Sequence, residues 1–349
     1  MQAGSVPDVE LGALPSRVIG VAASAGGVEA LRRLVAQLPA DLDATVCVVL
    51  HIPPTGRSLL APILGRESAL TVKPAENGAP LRPGIVYVAP ADHHLLVRAD
   101  VIELSRGPKE NGARPAADPM FRSLARAWGD CAVAVVLSGA LDDGAAGAAA
   151  VALAGGRVVV QEPSDALVPG MPSSAIAATT PDAVVTIDEM GETLQRIVAA
   201  PVPNPGKEGP VHMEFDPVEL ERGPSRPAGP ASGFTCPECN GAIWEVREGE
   251  LYRYRCRVGH SYSEDATVEA QGNAVEAALW AALEVLEERG ELLRRVADRV
   301  DHSPRTQRRF RESAREADDR AAVLRRVLST GRGSGGLSRN GDVEESAAG

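Results

Sequence analysis

Aromatic residues are scarce in this chain of 349 residues, at 3%, which speaks against the ring-filled core of an aromatic-rich sandwich. Long apolar runs are missing as well. Ala132–Leu137 and Val46–Leu50 are strand-sized, far below the ~20 residues that cross a bilayer, so no membrane insertion is expected. Basic charge is in deficit: 36 Lys and Arg stand against 47 Asp and Glu, a formal net charge of -11. Phosphate recognition needs a concentrated basic surface, which argues against duplex DNA as the principal partner, and no nucleic-acid partner is expected. The N-terminal stretch carries Asp8 and Glu10 but no basic cluster and no apolar segment of leader length, which points to a cytoplasmic protein. Cysteine is sparse too, with 5 in all. Cys47 and Cys131 sit inside apolar strand-like runs and read as inert core residues, whereas Cys236, Cys239 and Cys256 cluster near His260.

What is abundant is Ala, Val, Leu and Gly, in a chain that is 44% hydrophobic. Short branched runs alternate with helical patterns from Arg17 to Val198. Val18–Val21, Val46–Leu50, Ile85–Ala89, Val133–Leu137, Val158–Val160 and Val184–Ile187 are predicted strands. Val28–Leu38, Ser58–Gly65, Pro119–Trp128, Ala145–Ala154 and Met190–Val198 are predicted helices. Such alternation predicts an α/β fold with a doubly wound, mostly parallel sheet. His94–Arg98 and Val101–Ser105 flank Ala99 and Asp100 and predict an antiparallel hairpin added to it.

Eight prolines between Pro201 and Pro230 mark a stiff linker. Beyond it lie a cysteine-bearing segment and a helical region. There Leu279, Leu283, Leu286, Leu293, Val296 and Val300 keep near-heptad spacing, which suits either packing within the chain or a coiled-coil partner, self-association included. Ser303 and Pro304 form an N-cap and N1 pair for a second helix, so a helical hairpin or coiled coil is expected. The expected division is an N-terminal stub (1–16), an α/β domain (17–198), a Pro-rich linker (199–232), a Cys/His module (233–263), a helical hairpin (264–329) and a disordered tail (330–349).

The candidate chemistry gathers at strand ends. Val18-Ile19-Gly20-Val21 runs into Ala22-Ala23-Ser24-Ala25-Gly26-Gly27, and a helix opens next. A serine on such a turn projects its hydroxyl above the sheet, with the free N–H groups of a helix start beside it. His51 follows the next strand, and Asp142 and Asp143 follow another. The carboxyl ends of parallel strands share one edge, so an alcohol nucleophile, a base and a carboxylate converge there. Each residue alone also reads as a turn or cap former. Dinucleotide binding is the competing reading of the Gly-rich turn, but the glycine spacing is wrong and His51 stands where an acidic residue should.

Together these residues resemble the chemotaxis protein-glutamate methylesterases (CheB type). The resemblance runs through Val18 to Gly27, Leu50-His51-Ile52-Pro53, Pro90-Ala91-Asp92-His93-His94-Leu95-Leu96, Arg114-Pro115 with Asp118, Phe121-Arg122-Ser123, Leu137-Ser138-Gly139 with Asp143-Gly144, and Gly170-Met171-Pro172. It implies Ser24 as nucleophile, His51 as base and Asp143 as triad acid. Backbone N–H groups near Ala25 and Ala140 become oxyanion candidates, and Arg114 and Met171 candidates for substrate contact. The implied reaction is hydrolysis of glutamate methyl esters on a chemoreceptor-like protein, releasing methanol, with glutamine deamidation as a second activity and no cofactor for catalysis. Three features depart from the family pattern. Ala25 replaces a usual threonine, Ala140-Leu141-Asp142 replaces a usual Met-Gly-x, and only about sixteen residues precede the first strand, so a receiver domain is not expected. Arg114, Asp118, Phe121 and Arg122 suit substrate contact or simple helix capping and surface pairing; His93 and His94 suit a turn better than a metal.

Cys236-Pro237-Glu238-Cys239 and Cys256-Arg257-Val258-Gly259-His260 are separated by sixteen residues. Three thiolates and an imidazole at this spacing predict a structural zinc in a zinc-ribbon-like module, covered by Trp244, Tyr252 and Tyr254. The segment also resembles a C-terminal extension of some receiver-less members of that family. The rival to an enzyme is a non-catalytic scaffold or docking protein in a signalling assembly that works through the zinc and helical modules.

Overall fold

The longest fully apolar segments lie at the centre of the main sheet. The computed structural model describes residues 14–54, 58–202, 227, 229–249, 251–299 and 304–330. Most of the linker, Val300, Ser303 and the tail from 331 fall outside the described residues. Contacts divide the chain into two units, Met1–Val268 and Glu269–Gly349.

In the first unit, β1 (Arg17–Ala23), β2 (Ala44–Leu50) and β7 (Ala132–Val136) are buried along their whole length. Strands covered on both faces need no polar alternation. They join β3 (Thr71–Pro74), β4 (Ile85–Val88), β8 (Arg157–Gln161) and β9 (Ala183–Val185) in a parallel sheet of order β3-β4-β2-β1-β7-β8-β9. The hairpin of β5 (His94–Arg98) and β6 (Val101–Ser105) pairs antiparallel, with His94 opposite Ser105.

Helices cover both faces. On one, Leu31, Leu34 and Leu38 in and after α1 (Gly27–Ala36), Leu64 of α2 (Leu60–Leu64), and Met190 and Leu194 of α6 (Ile187–Ala199) pack on Ile19, Val21, Val46 and Val48. On the other, Met120, Phe121 and Leu124 of α3 (Ala117–Trp128), Ala148 of α4 (Ala145–Leu153) and Ala175 of α5 (Gly170–Ala178) pack on Val18, Ala22, Cys47 and Val49. Alternate residues of one strand thus serve opposite layers.

Three elements depart from the sequence expectation. Ile187, placed in a strand above, begins α6, because Thr186 and Glu189 form a capping box that starts the helix there. β3 was not expected; it is short and half-exposed, held by its pairing with β4. α5 was also unforeseen, since its Gly, Pro, Ser and Ala residues give no apolar stripe.

The Cys/His segment lies in the same unit. It forms a four-stranded antiparallel sheet of β10 (Ala231–Thr235), β11 (Ala242–Glu248), β12 (Leu251–Cys256) and β13 (Ser261–Ser263). Ser263 then caps α7 (Glu264–Arg299), accepting the Ala266 N–H at 3.1 Å. α7 supplies most of its length to the second unit, where α8 (Pro304–Thr330) lies against it. Leu279, Leu283 and Leu286 meet Ala321, Leu324 and Leu328, and Glu287–Arg325 and Arg294–Asp318 pairs flank the seam. The first three leucines of the heptad-like stripe are therefore packed within the chain.

Candidate active site

Strand register alone brings the nucleophile candidate beside the base candidate. Ala23 pairs with Leu50 across β1 and β2, so Ser24 and His51 are the next residues of adjacent strands. β1 has β2 on one side and β7 on the other, after which the chain winds outward in both directions. Crevices open at the carboxyl ends of strands at such a switch point. Backbone bonds knit the edge together: Ser24 N–H donates to the Ser138 carbonyl at 3.0 Å and His51 N–H to the Ala23 carbonyl at 3.2 Å.

The turn after β1 depends on close backbone approach. Gly26 has φ 76° and a Cβ there would lie 2.7 Å from Ser138 Oγ, so glycine is needed both for its conformation and for space. Ser138 Oγ in turn donates to the Ala25 carbonyl at 2.8 Å. On the facing loop a Cβ on Gly139 would come within 2.9 Å of Ser24 Cβ. Met171, fully buried, packs its thioether against the same glycine and donates its N–H to the Gly139 carbonyl at 2.8 Å. Met171 thus shapes the floor under Ser24. The amides of Ala25 and Ala140 donate to no protein acceptor among the described residues. Leu141, next to Ala140, takes φ 59°, a strained state for a side chain of this shape and one that accumulates at functional loops.

Of the two neighbouring aspartates, Asp143 meets the histidine. His51 Nε2 lies 2.6 Å from Asp143 Oδ2, with the imidazole side chain 22% exposed and the carboxylate 2%. The base can be reached from outside while the acid is dry. Asp143 accepts three further N–H donors: Ala117 N at 2.6 Å, Asp118 N at 3.2 Å and Asn111 Nδ2 at 3.3 Å. Burial by itself would push this carboxyl up, but the His51 hydrogen bond and charge and the two amides hold it at about 2. Burial likewise would lower the His51 pKa; the hydrogen bond and charge of Asp143 and the charge of Asp118 overcome it and leave it raised. Asp143 is thus held in its anionic form, and because a carboxylate only accepts, the ring nitrogen facing it is the donor. No hydrogen bond joins Ser24 Oγ to His51 among the described residues; such contacts often tighten only when substrate binds. Asp142 points elsewhere, accepting from Ser263 Oγ at 2.7 Å.

Arg114 is placed at a recess beside the base, lined also by His51, Ile52, Pro53, Lys109 and Ala113. Its guanidinium is already engaged: Nε and Nη2 bind Asp92 Oδ1 at 3.0 and 2.6 Å, and Nη1 binds the carbonyls of Arg106 and Gly107. It fixes the loop that borders the recess. Asp118 and Arg122, read above as substrate contacts or surface pairs, are instead buried at 0% and 3% exposure. His93 binds the Ala91 carbonyl, and His94 lies between the Pro108 carbonyl and the Ala116 N–H. Asn111, which donates to the triad acid, escaped the sequence reading. Its only signal was the Asn111-Gly112 turn dipeptide, and its φ of 50° is the left-handed state that asparagine tolerates.

Cys236, Cys239, Cys256 and His260 bring one ligand atom each to within 4.8 Å of one another. The Cys239–Cys256 sulfur separation is 3.7 Å, and His260 Nδ1 lies 3.7 and 3.5 Å from the sulfurs of Cys236 and Cys256. Tetrahedral zinc with ordinary bond lengths demands edges of about 3.8 Å between sulfurs and about 3.6 Å from sulfur to nitrogen. None of the five cysteines is in a disulfide. The donor set fits a zinc ion.

Comparison with known proteins follows the same division of the chain. A family model described as CheB methylesterase matches residues 19–194, just over half of the sequence. The chain is 41% identical over 182 residues to a Caulobacter vibrioides protein named protein-glutamate methylesterase/protein-glutamine glutaminase 2, covering 51% of this chain and 52% of that one. It is 44% identical over 190 residues to an Anaeromyxobacter dehalogenans protein-glutamate methylesterase/protein-glutamine glutaminase 3, covering 54% of each. It thus spans about half the length of the curated relatives it matches. Among solved structures, the Thermotoga maritima CheB methylesterase catalytic domain superposes with a TM-score of 0.51 at 34% identity, covering 52% of this chain and 98% of that domain. The strand-end geometry and the family match concern the same residues, and the chain belongs to the CheB methylesterase family.

Proposed function

We propose that this chain hydrolyses glutamate methyl esters on a chemoreceptor-like signalling protein in the cytoplasm and deamidates glutamines at the same site. The carrying observation is the 2.6 Å contact of His51 with the buried Asp143, formed at the strand end next to Ser24. In this mechanism His51 takes the Ser24 hydroxyl proton as Oγ attacks the ester carbonyl. The oxyanion is met by the unengaged amides of Ala25 and Ala140. The carbon–oxygen bond to the methoxy group breaks, and imidazolium returns the proton so that methanol leaves. Water, deprotonated by His51, then attacks the acyl-serine and frees the glutamate and Ser24. With a glutamine substrate the same sequence releases ammonia. Asp143 holds the imidazole's orientation and balances the imidazolium.

No cofactor enters this scheme. Zinc held by Cys236, Cys239, Cys256 and His260 would serve the folding of β10 to β13 by cross-linking its two knuckles. The domains proposed are the esterase at 17–198, the Cys/His module at 233–263 and the helical hairpin at 264–329.

The test is methanol release from a methylated chemoreceptor fragment. Wild type should release it and Ser24→Ala should not. Equal rates would remove Ser24 from the mechanism, and no release by wild type from any methylated partner would favour the scaffold role.

A further inference from the structure

Beneath the triad acid lies a cluster of four buried charges, and one of them comes from the Cys/His module. Arg253 of β12 is 2% exposed. Its Nη1 donates to Asp118 Oδ2 at 2.9 Å and its Nη2 to Glu110 Oε2 at 3.2 Å. Arg122 closes the set by binding the other oxygen of Glu110. Two cations thus meet two anions among almost fully buried side chains, and Arg122 Nη1 also lies 3.9 Å from the part-exposed Glu248 Oε2 at the rim.

Asp118 is the link to the site. Its N–H donates to Asp143 Oδ1 at 3.2 Å, and its Oδ1 accepts the N–H groups of Gly144 and Gly147 at 3.0 and 2.8 Å. One carboxylate thus grips the triad acid's loop and the start of the helix that follows. The module reaches the acid by a second route through Asn111. Its N–H donates to the Ser261 carbonyl at 2.8 Å, its Oδ1 accepts the Ser263 N–H at 3.0 Å, and its Nδ2 donates to Asp143.

We infer that Arg253 is a positioning residue of the esterase: by neutralising Asp118 it fixes Asp143 against His51, which makes the Cys/His module an integral part of the active site. The inference rests on the triad reading above. Asp118 faces Arg253 from β12, Arg122 from its own helix, and the like charges of Glu110 and Asp143. With Arg253 gone, a dry carboxylate must face two anions with one cation left. A buried charge that loses its partner is strongly disfavoured, so the carboxyl takes a proton or swings away. Either response disturbs the N–H groups and the field that hold Asp143. Burial already pushes the Asp118 carboxyl up, and Arg253 is the largest influence holding it down. Cys256 lies three residues beyond Arg253 on the same strand, so the strand that delivers the guanidinium ends in the Cys/His cluster.

The experiment compares full-length wild type, Arg253→Gln, Arg253→Lys, and the double variant Asp118→Asn/Arg253→Gln. Steady-state methanol release is measured well below the melting temperature, with bound zinc and the melting curve recorded for each. Arg253→Gln should lose about a hundredfold in kcat, the scale on which small misplacements of catalytic groups act. KM should hold, because Arg253 does not line the recess. Arg253→Lys, which keeps the charge, should recover much of the rate. The double variant should recover at least about tenfold over Arg253→Gln, because a neutral amide pair replaces an unbalanced anion. Recovery by a second lesion is not what loss of packing produces. Wild-type kcat in Arg253→Gln, or a folded, zinc-bound double variant no faster than it, overturns the inference. If Arg253→Gln does not fold, the double variant decides: folded and within about tenfold of wild type it upholds the charge balance, and folded but inactive it refutes it. Wild type that releases no methanol would instead sink the esterase reading itself.

Discussion

Replacing Asp143 by asparagine keeps the shape of the triad acid and removes what its surroundings demand. The carboxylate accepts four N–H donors, with His51 and Ala117 on Oδ2 and Asn111 and Asp118 on Oδ1. An amide has one acceptor oxygen, so in either orientation its NH2 group confronts two of those donors. Each buried donor left unpaired costs about 1–3 kcal/mol, or roughly 2–6 kcal/mol for the two. The chemical effect is larger. Facing the NH2 group, His51 must offer that nitrogen as an acceptor, and the proton moves to the other ring nitrogen, which then cannot receive the Ser24 proton. Loss of the histidine-orienting carboxylate in this way costs about 10⁴ in kcat. The assay is methanol release from a methylated receptor fragment, with a thermal melt of the same preparation. Asp143→Asn should retain its fold at reduced melting temperature and lose about three to four orders of magnitude in kcat. A folded variant within about tenfold of wild type would refute the role given to the four-donor arrangement.

Two further outcomes follow from the same groups. The His51 pKa stands above the ordinary 6.5 because Asp143 and Asp118 outweigh burial, and the base must be neutral to act. The log of kcat/KM should therefore rise with pH to a midpoint above 6.5; a midpoint at or below that value would contradict the geometry. The linked stability has the opposite sense: the charged pair stabilises the fold fully below the unfolded histidine value, and that contribution fades as pH rises through the folded one. For the metal cluster, the purified protein should carry about one zinc per chain, and Cys239→Ser should lower both metal content and melting temperature. Unchanged zinc in that variant, measured by elemental analysis, would remove Cys239 from the ligand set.

Local chemistry wrote much of this architecture in plain view. β1, β2 and β7 are buried on both faces and so appear as unbroken apolar runs, and the residues at their carboxyl ends, Ser24, His51 and the Ser138–Gly144 loop, could be placed on one edge by topology alone. The Cys/His spacing likewise announced its cluster, because the four donor residues are confined to two short knuckles. Short-range signals failed where an element depends on a neighbour: β3 exists through its pairing with β4, and α5 has no apolar stripe to reveal it. Tertiary packing alone decided which buried charges would meet. Asp118 resembled a helix-capping acid and Arg253 carried no signal in the sequence, yet they form an ion pair across 135 positions of chain. No periodicity encodes such a pairing, because the cost of burying each charge is relieved only when two distant segments are brought face to face and water is excluded between them.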